Sequence, residues 1–387
     1  MRTIVRLAAT TVRKAAKAFP AVVLTGPRRA GKTFLLRHVL PDADYVLLED
    51  PDVIGKVRAD PRGFLDERTR PVILDEIQNA PELLNYIRTQ VDRTPRRTGQ
   101  WFLTGSHEAT LMQGVTESLA GRAAVLQLLP LSLAETDKVS LIDGGYPEVL
   151  ARPRARDLWF SAYVQTYVER DVRAITQVRD LTTYRRFLGL VASRHGQILN
   201  KSDLASPLGV SIPTIAEWLR VLEVTGIAMV VPPYFENFGK RLIKSPKVYL
   251  TDSGLACHLL GIRSVAELER SPFLGAIVEG FVASELAKAQ INAGGRRELY
   301  FFRDRPGLEV DFLMPHHGTL WMLEVKAGRT VHSSDAGALA SIGPVGTSAR
   351  VERWVVHRAA RTPAVTSVVA PGVGAMTIAQ LVTRING

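Results

Sequence analysis

The sequence Gly26-Pro27-Arg28-Arg29-Ala30-Gly31-Lys32-Thr33 matches, at each required position, the pattern of a loop that cradles a nucleoside triphosphate. The apolar run at residues 21–24 before it predicts a buried strand, and residues 34–40 after it predict a helix. Strand, glycine loop and helix in this order are the context in which the pattern indicates a binding site. The chain is therefore expected to contain an α/β unit that binds a triphosphate.

Each part of this loop has a physical task in triphosphate binding. Glycines let the backbone wrap a phosphate without a Cβ clash, and successive amides with the helix N-terminus offer partial positive charge. We expect Lys32 to reach the β- and γ-phosphates and Thr33 to place its hydroxyl on Mg²⁺. A plain glycine turn before a helix is the alternative, but it explains neither Lys32 nor Thr33. The sequence thus predicts ATP and Mg²⁺ as ligands.

A second element supports the first. Residues 71–76, Pro-Val-Ile-Leu-Asp-Glu, form an apolar run that ends in two acids, as a strand buried on both faces does. We expect Asp75 to hold Mg²⁺ through water and Glu76 to orient and deprotonate the attacking water. The alternative is a strand followed by a solvated acidic turn, which is weaker beside a complete phosphate-binding loop.

Two further residues are candidates for a catalytic part. Thr104, at the polar end of a predicted strand at residues 100–104, is expected to contact the γ-phosphate or the lytic water, or else to cap a turn. Arg122 is a candidate for stabilising the charge that builds up in phosphoryl transfer, with a free surface arginine as the alternative.

Composition and length limit the class of protein. A chain of 387 residues with 46% hydrophobic and 22% charged residues suggests a folded protein of two or three domains. Its apolar runs are far shorter than the roughly 20 residues that cross a bilayer, so we expect no membrane contact. The single cysteine, Cys257, excludes an intramolecular disulfide framework and a cysteine-based zinc site, and is typical of a reducing cytoplasm.

The charge is basic and unevenly spread. The formal net charge is +11, and residues 151–250 carry 15 Lys and Arg against 8 Asp and Glu. A basic surface attracts polyanions, and DNA is the partner that this surplus suggests. A generally arginine-rich composition is the alternative explanation.

We expect three domains. Residues 1–140 alternate strands and helices, with strands near 21–25, 45–48, 71–75, 100–104 and 124–128, and this predicts a parallel sheet covered by helices. Residues 141–255 are expected to hold a helical linker and a winged helix-turn-helix, and residues 256–387 an α/β unit.

The middle domain shows the winged-helix pattern. Helices are predicted at residues 182–194, from Asn200, and at 211–223, followed by strands at 227–231 and 247–250. In a DNA-binding version the third of these helices enters the major groove. The predicted wing carries the basic residues Lys240, Arg241, Lys244 and Lys247. A purely protein-contacting role is the alternative.

The last third carries a separate group of charged residues. Asp311 lies in one predicted strand, Glu324 and Lys326 share a face of the next, and Glu279 lies on a predicted helix. Carboxylates and a lysine on adjacent strands are what a metal-dependent phosphodiesterase needs, because carboxylates hold Mg²⁺ and the lysine helps to activate water. On spacing alone, a cross-strand ion pair of Lys326 with Asp311 or Glu309 is the stronger interpretation. His316 and His317 lie in a turn and are assigned no metal.

Several motifs in this order resemble a known family. The motifs are residues 26–33, 74–78 (Leu-Asp-Glu-Ile-Gln), 103–106, 118–122, 130–135, 249–255, 279–281 and 324–328. They resemble the prokaryotic AAA-type ATPases whose C-terminal part is an uncharacterised, restriction-endonuclease-like domain. The resemblance implies an AAA+ core, a winged-helix linker and a nuclease-like tail, with Asp311, Glu324 and Lys326 on the metal and lysine positions. AAA-type sites often borrow an arginine from a neighbour, so a monomer, a dimer and a ring all remain open.

Three functions follow as expectations. The first is a cytoplasmic Mg²⁺-dependent ATPase whose hydrolysis moves the C-terminal domains. The second is an ATP-gated, metal-dependent DNA nuclease, and the third is a nucleotide-dependent regulatory module with negligible turnover.

Overall fold

The structure, a computed structural model, describes residues 4–105, 118–168, 181–234, 245–342, 350–359 and 368–387. Three sheets organise these residues into three consecutive units. Between the α-helices lie the short 3₁₀ turns Ile77–Asn79, Pro153–Ala155, Ser206–Leu208 and Ser333–Ala336. None of the helices in these ranges combines the length and the apolar character of a membrane span.

The first unit is a five-stranded parallel sheet of order β2-β3-β4-β1-β5. Its strands are β1 Ala21–Thr25, β2 Asp44–Leu47, β3 Val72–Asp75, β4 Trp101–Thr104 and β5 Ala123–Gln127. Its helices are α1 Ala8–Ala18, α2 Lys32–Val39, α3 Pro51–Ala59, α4 Pro61–Asp66 and α5 Leu83–Arg93. The predicted parallel α/β core is confirmed, with each strand within a residue or two of its expected position.

Residue alternation along β1 explains why helices cover both faces of this sheet. Val22 and Leu24 pack into a core with α1 and α2, whereas Ala21 and Val23 pack into a core with α3, α4 and α5. Every residue of β1, β3 and β4 is buried, as expected for strands that read as continuous apolar runs. The carboxyl ends of β1, β3 and β4 therefore meet at one edge of the sheet.

The second unit consists of helices around a small antiparallel sheet of order β6-β8-β7. Its helices are α6 Pro147–Ala151, α7 Arg156–Tyr163 with a π turn at Val164–Val168, α8 Leu181–Ser193, α9 Lys201–Ala205, α10 Ile212–Val224, α11 Ser253–Leu259 and α12 Val265–Arg270. Its strands are β6 Gln197–Ile198, β7 Ala228–Val231 and β8 Lys247–Leu250. Asn200 caps α9 and Ser211 caps α10 through their side-chain oxygens.

The order of these elements follows the predicted one, but one part of the wing prediction is wrong. Lys247 is only 2% exposed, and its ammonium forms ion pairs with carboxylates of the third unit. It therefore does not belong to a basic surface. The other predicted wing residues, Lys240, Arg241 and Lys244, lie outside the described residues. A winged-helix assignment stays a prediction.

The third unit is a six-stranded mixed sheet of order β13-β14-β12-β11-β10-β9. Its strands are β9 Tyr300–Arg303, β10 Glu309–His316, β11 Thr319–Lys326, β12 Arg350–His357, β13 Val368–Ala370 and β14 Val373–Thr377. Its helices are α13 Leu274–Asn292, α14 Gly337–Ser341 and α15 Ile378–Asn386. A nuclease-like assignment for this unit also stays a prediction.

Helix α13 is the main link between the units. It is apolar and buried on nearly every side, because Ile277 packs into the core of the second unit while Val278, Phe281 and Leu286 pack into a core shared with the third sheet. Helix α13 therefore lies at the junction of the second and third units and contributes to a core of each.

Candidate functional site

The loop of residues 26–33, here called the phosphate loop, joins the carboxyl end of β1 to α2. Gly26 has φ +128°, and a Cβ there would lie 2.1 Å from the carbonyl oxygen of Leu128. Gly31 has φ +97° and directly precedes α2. Only glycine accommodates both conformations without strain, so the two glycines are required for the turn.

Positive charge converges at this loop. Lys32 is buried, and its Nζ donates to the carbonyl oxygens of Gly26 at 2.8 Å and Pro27 at 3.1 Å. The first backbone hydrogen bond of α2 runs from Leu35 N to Gly31 O. The amides of residues 32–34 come before this bond, at the N-terminal end of the helix. Ammonium and helix N-terminus together suit a phosphate group.

Asp75 at the end of β3 is surrounded by hydroxyl groups. Thr33 Oγ1 and Tyr45 OH each donate to Asp75 Oδ2 at 2.8 Å, and Thr104 Oγ1 donates to Asp75 Oδ1. Asp75 is only 4% exposed. Burial, followed by the hydrogen bond to Asp75, raises the pKa of Tyr45, so this phenol stays protonated and remains a donor. A carboxylate next to a threonine hydroxyl is the oxygen donor set that Mg²⁺ prefers.

Glu76 is held in an unusual backbone conformation. Its φ is +60°, in the left-handed region that a non-glycine residue seldom adopts. Its backbone N–H donates to Thr104 Oγ1 at 3.1 Å, and Gln78 Nε2 donates to Glu76 Oε2. The chain thus turns sharply after Asp75, and both carboxylates line the same cavity.

This cavity has a volume of about 720 Å³, within the range of small-molecule sites. The phosphate loop forms its polar side. The apolar residues that line it come from the N-terminal segment, α2, β2, the chain after β5, and α6: Ile4, Phe34, Leu47, Leu131, Pro147 and Ala151. The second unit also contacts the loop directly, through a hydrogen bond from Tyr163 OH to Arg28 O at 3.3 Å and an ion pair between Arg29 and Glu148 at 3.3 Å. The first two units therefore enclose the cavity together.

The structure brings Thr104 to this site but not Arg122. Thr104 is fully buried, with its hydroxyl bonded to Asp75 and to the amide of Glu76, so it supports these two acids instead of facing the cavity. Arg122 precedes β5 at the amino end of the sheet, where it forms an ion pair with Asp92 at 2.6 Å. Its backbone oxygen accepts from Ala21 N at the start of β1, opposite the phosphate loop. Arg122 lies just before the predicted strand at residues 124–128, and in a parallel sheet this position already favours the amino edge.

Two residues of the site were not identified from the sequence. Tyr45 was placed in a strand, but its contact with Asp75 depends on β2 lying next to β3. Arg6 donates to Ala30 O in the phosphate loop at 2.7 Å, although the two residues are 24 positions apart in the sequence. Neither contact has a local sequence signal, because both depend on the tertiary fold.

The four residues predicted in the last third do lie together. Asp311 and Glu324 lie on the antiparallel neighbours β10 and β11, Lys326 Nζ donates to Glu324 Oε1 at 2.8 Å, and Glu279 reaches the same place from α13. Glu309 joins them from β10. We call Glu279, Glu309, Asp311 and Glu324 the carboxylate cluster.

Lys247 from β8 occupies the middle of this cluster. Its Nζ lies 2.9 Å from Glu279 Oε1, 2.6 Å from Glu309 Oε1 and 3.7 Å from Asp311 Oδ1. Burial lowers the pKa of Lys247, but the three carboxylates outweigh it and the net pKa is raised. The ammonium therefore stays charged and neutralises part of the cluster.

The acids of the cluster are hard to ionise together. Burial, together with the charges of Glu279 and Glu324, raises the pKa of Asp311 well above its usual range, and burial raises that of Glu324. In the ranges that the structure describes, no three His, Cys, Asp or Glu side chains are placed to hold one metal ion. In this conformation the cluster is an ion-pair network, but its pairs differ from the cross-strand pair drawn from spacing: Lys326 pairs with Glu324 on its own strand, and Lys247 pairs with the acids around it.

Comparison with known proteins gives the family. Residues 18–136 match the family described as "AAA domain", residues 138–266 a domain of unknown function (DUF8612), and residues 274–371 another (DUF4143). "Uncharacterized protein Rv2008c" of Mycobacterium tuberculosis and "Uncharacterized protein Mb2031c" of Mycobacterium bovis are each 33% identical over 332 residues, 84% of this chain and 74% of the relative. The chain belongs to the family of these two mycobacterial proteins. Its first unit is an AAA-type domain of the P-loop ATPase class.

Solved structures resemble this AAA-type protein more loosely. The "walker-type atpase paby2304" of Pyrococcus abyssi is 16% identical with a TM-score of 0.45, covering 67% of this chain and 98% of that one. RuvB of Thermotoga maritima is 18% identical with a TM-score of 0.29, covering 58% and 87%. Likenesses this distant add nothing to the argument for a function.

Proposed function

We propose that this protein is a Mg²⁺-dependent ATPase that couples its nucleotide state to the two units after the AAA-type domain. One observation carries the proposal. The phosphate loop, with Lys32 and Thr33, faces the same cavity as the Asp75-Glu76 pair, and the second unit closes that cavity. Phosphoryl transfer needs this combination of a phosphate cradle, a metal-binding carboxylate and a carboxylate that activates water.

Each residue has a defined task in this proposal. Lys32 and the amides at the start of α2 bind the β- and γ-phosphates, and Thr33 and Asp75 hold Mg²⁺. When bound, Mg²⁺ neutralises the charge of the phosphate oxygens. Glu76 orients the attacking water and takes its proton. Thr104 and Gln78 hold Glu76 in its strained conformation, and the strain indicates a functional constraint at this residue.

The direct test is phosphate release from ATP by the full chain, with Mg²⁺ and with excess chelator. We expect turnover that requires Mg²⁺. Tight nucleotide binding with negligible turnover would favour the regulatory module instead. Absence of both binding and turnover for all purine triphosphates would overturn the proposal.

A catalytic part for Arg122 requires a second copy of the chain. Arg122 lies at the amino edge of its own sheet, so it can reach only the phosphate loop of a neighbour. Mixing Lys32→Ala and Arg122→Ala proteins tests this, because a mixed assembly contains sites with both residues intact. Recovery of ATP hydrolysis on mixing supports a homo-oligomer, and failure to recover rejects the shared site.

An ATP-gated nuclease is the second candidate, because the chain folds so that Glu279, Asp311, Glu324 and Lys326 meet. In that function Lys247 has to leave the carboxylate cluster before a divalent cation can enter. DNA is the proposed substrate and partner, given the net charge of +11. Incubation of plasmid DNA with Mg²⁺ and ATP tests the nuclease activity and its DNA substrate together. No cleavage, or cleavage that Lys326→Ala leaves unchanged, rejects the nuclease.

A further inference from the structure

Arg6 holds the phosphate loop from a distant part of the sequence. It is only 5% exposed, and its two terminal nitrogens donate to Ala30 O and to Leu129 O, each at 2.7 Å. Its Nε donates to Glu135 Oε1 at 2.9 Å. A planar guanidinium can serve three acceptors in fixed directions, whereas a lysine cannot. Arg6 thus ties the phosphate loop to the chain that leaves β5.

Glu135 fixes that chain segment in turn. Its side chain is fully buried and accepts hydrogen bonds from Leu7 N at 2.9 Å, from Ser132 N at 2.9 Å and from Ser132 Oγ at 3.2 Å. The segment of residues 131–135 therefore has one position relative to Arg6 and the loop.

The other side of the same segment is bonded to α13. Leu133 N donates to Glu285 Oε2 at 2.8 Å, and Lys288 Nζ donates to Leu131 O at 3.0 Å. Glu285 and Lys288 also pair with each other at 2.9 Å, and their side chains are 1% and 3% exposed. Neighbouring amides of one short segment thus reach Glu135 on one side and α13 on the other.

We propose that Arg6 and Glu135 are positioning residues of the nucleotide site, and that Glu285 and Lys288 extend this network to α13. We call the four residues the buried relay. Ionised groups are costly to bury. Arg6 and Glu135 are satisfied within the first unit. Glu285 and Lys288 are satisfied by each other and by contacts that cross from α13 to residues 131–133. The relay rests on the proposed function, since it needs a nucleotide in the phosphate loop.

Through the buried relay, α13 is connected to the phosphate loop as well as to the carboxylate cluster. Glu279, which pairs with Lys247, lies six residues before Glu285 on the same helix, or about 9 Å along its axis. A bound nucleotide that favours one position of Ala30 therefore also favours one position of α13 relative to the carboxylate cluster. Linkage requires the reverse as well, so that a change at α13 alters nucleotide affinity.

The test changes charge on α13, far from the nucleotide. Glu285→Gln keeps the size of the side chain but removes its charge, and Glu269→Gln, on the exposed face of α12, is the matched control. Dissociation constants for a non-hydrolysable ATP analogue with Mg²⁺ are measured for both and for wild type. We expect an affinity loss of about 10-fold for Glu285→Gln and none for Glu269→Gln. Arg6→Lys should keep more affinity than Arg6→Met, because it retains part of the donor set.

Hydrogen exchange of the wild-type protein keeps the test decisive if Glu285→Gln fails to fold. We expect the analogue to slow amide exchange in residues 283–292 of α13 and to leave α12 unchanged. If the wild-type protein binds the analogue but amide exchange in α13 does not change, the relay alone is overturned. The same follows if Glu285→Gln binds the analogue with wild-type affinity. Wild type that binds no nucleotide overturns the proposed ATPase and the relay with it.

Discussion

Two groups of buried acids in this molecule have opposite surroundings. Asp75 accepts hydrogen bonds from three neutral hydroxyls, those of Thr33, Tyr45 and Thr104, and it faces a cavity. The carboxylate cluster instead surrounds an ammonium supplied by its own chain, that of Lys247. Hydroxyl donors orient a carboxylate without cancelling its charge, whereas an ammonium cancels it. Under the proposed function the first region is prepared for an incoming cation, whereas the second already contains one.

The largest effect is expected at the phosphate loop. Lys32→Ala removes the ammonium that we propose binds the β- and γ-phosphates, so ATP hydrolysis should fall to background. Lys326→Ala, which removes a lysine that pairs with Glu324 of the carboxylate cluster, is the matched control and should hydrolyse ATP at the wild-type rate. Phosphate release measures both, and equal loss in the two variants would remove the distinction between the regions.

The next largest effect is expected for Glu76, where a substitution should lower turnover without weakening nucleotide binding. Glu76→Gln keeps the shape of the side chain but cannot take a proton, so kcat should fall by about 10²–10⁴-fold while nucleotide affinity stays near that of wild type. Glu82→Gln, an exposed acid six residues later, should leave kcat unchanged. A Glu76→Gln protein with wild-type kcat would assign water activation to another group.

In the carboxylate cluster, the expected effect of a substitution is a loss of folding stability. Lys247→Met leaves buried acids without their counter-charge, which should cost about 3–5 kcal/mol of the free energy of unfolding. Lys201→Met, at an exposed position, is the control and should cost little. Denaturant unfolding measures both. A loss no greater than that of the control would show that Lys247 does not neutralise the cluster.

The same variant has a predicted pH dependence. The pKa values of Asp311 and Glu324 are already raised in the folded protein, so these groups bind protons on folding and stability falls as pH rises above their unfolded pKa, about 4. Removing Lys247 raises the pKa of Asp311 further, because the charge of Lys247 lowers that pKa in the wild type. The stability deficit of Lys247→Met should therefore widen from pH 5 to pH 7.5, and a deficit that narrows over this interval would contradict the assignment.

The smallest effect is expected for Tyr45→Phe, which removes one hydroxyl from Asp75. Residues that orient a metal ligand commonly alter metal affinity by about 10–100-fold, and we expect the lower end because two hydroxyls remain. The Mg²⁺ concentration for half-maximal ATP hydrolysis should rise, with kcat at saturating Mg²⁺ nearly unchanged. Tyr86→Phe, in α5, is the control. Equal Mg²⁺ dependence in both variants would deny Tyr45 a part in positioning Asp75.

The sequence was most informative where chemistry is local. Residues 26–33 are consecutive, and their glycine, lysine and threonine positions predicted a loop whose φ angles and contacts the structure contains. The positions of the acids at the end of β3 were predictable for the same reason. A continuous apolar run predicts a buried strand and shows where that strand ends. The parallel α/β class also followed from alternation of the elements.

Sequence reasoning was weakest where contacts are distant along the chain. Strand order placed Tyr45 beside Asp75, and no local pattern carries that order. Lys247 was assigned to a basic wing, because its neighbours in sequence are basic and its acidic partners are 32 residues or more away. Arg6 and Glu135 are 129 residues apart. Such contacts exist only once the units are packed together.

The measurement that bears most directly on the central claim is a calorimetric titration of the wild-type chain with a non-hydrolysable ATP analogue, with Mg²⁺ and with chelator. We predict saturable binding of one nucleotide per chain, tighter with Mg²⁺ because Thr33 and Asp75 then share the ion with the phosphates. No binding under either condition would contradict the assignment of the cavity beside the phosphate loop as a nucleotide site.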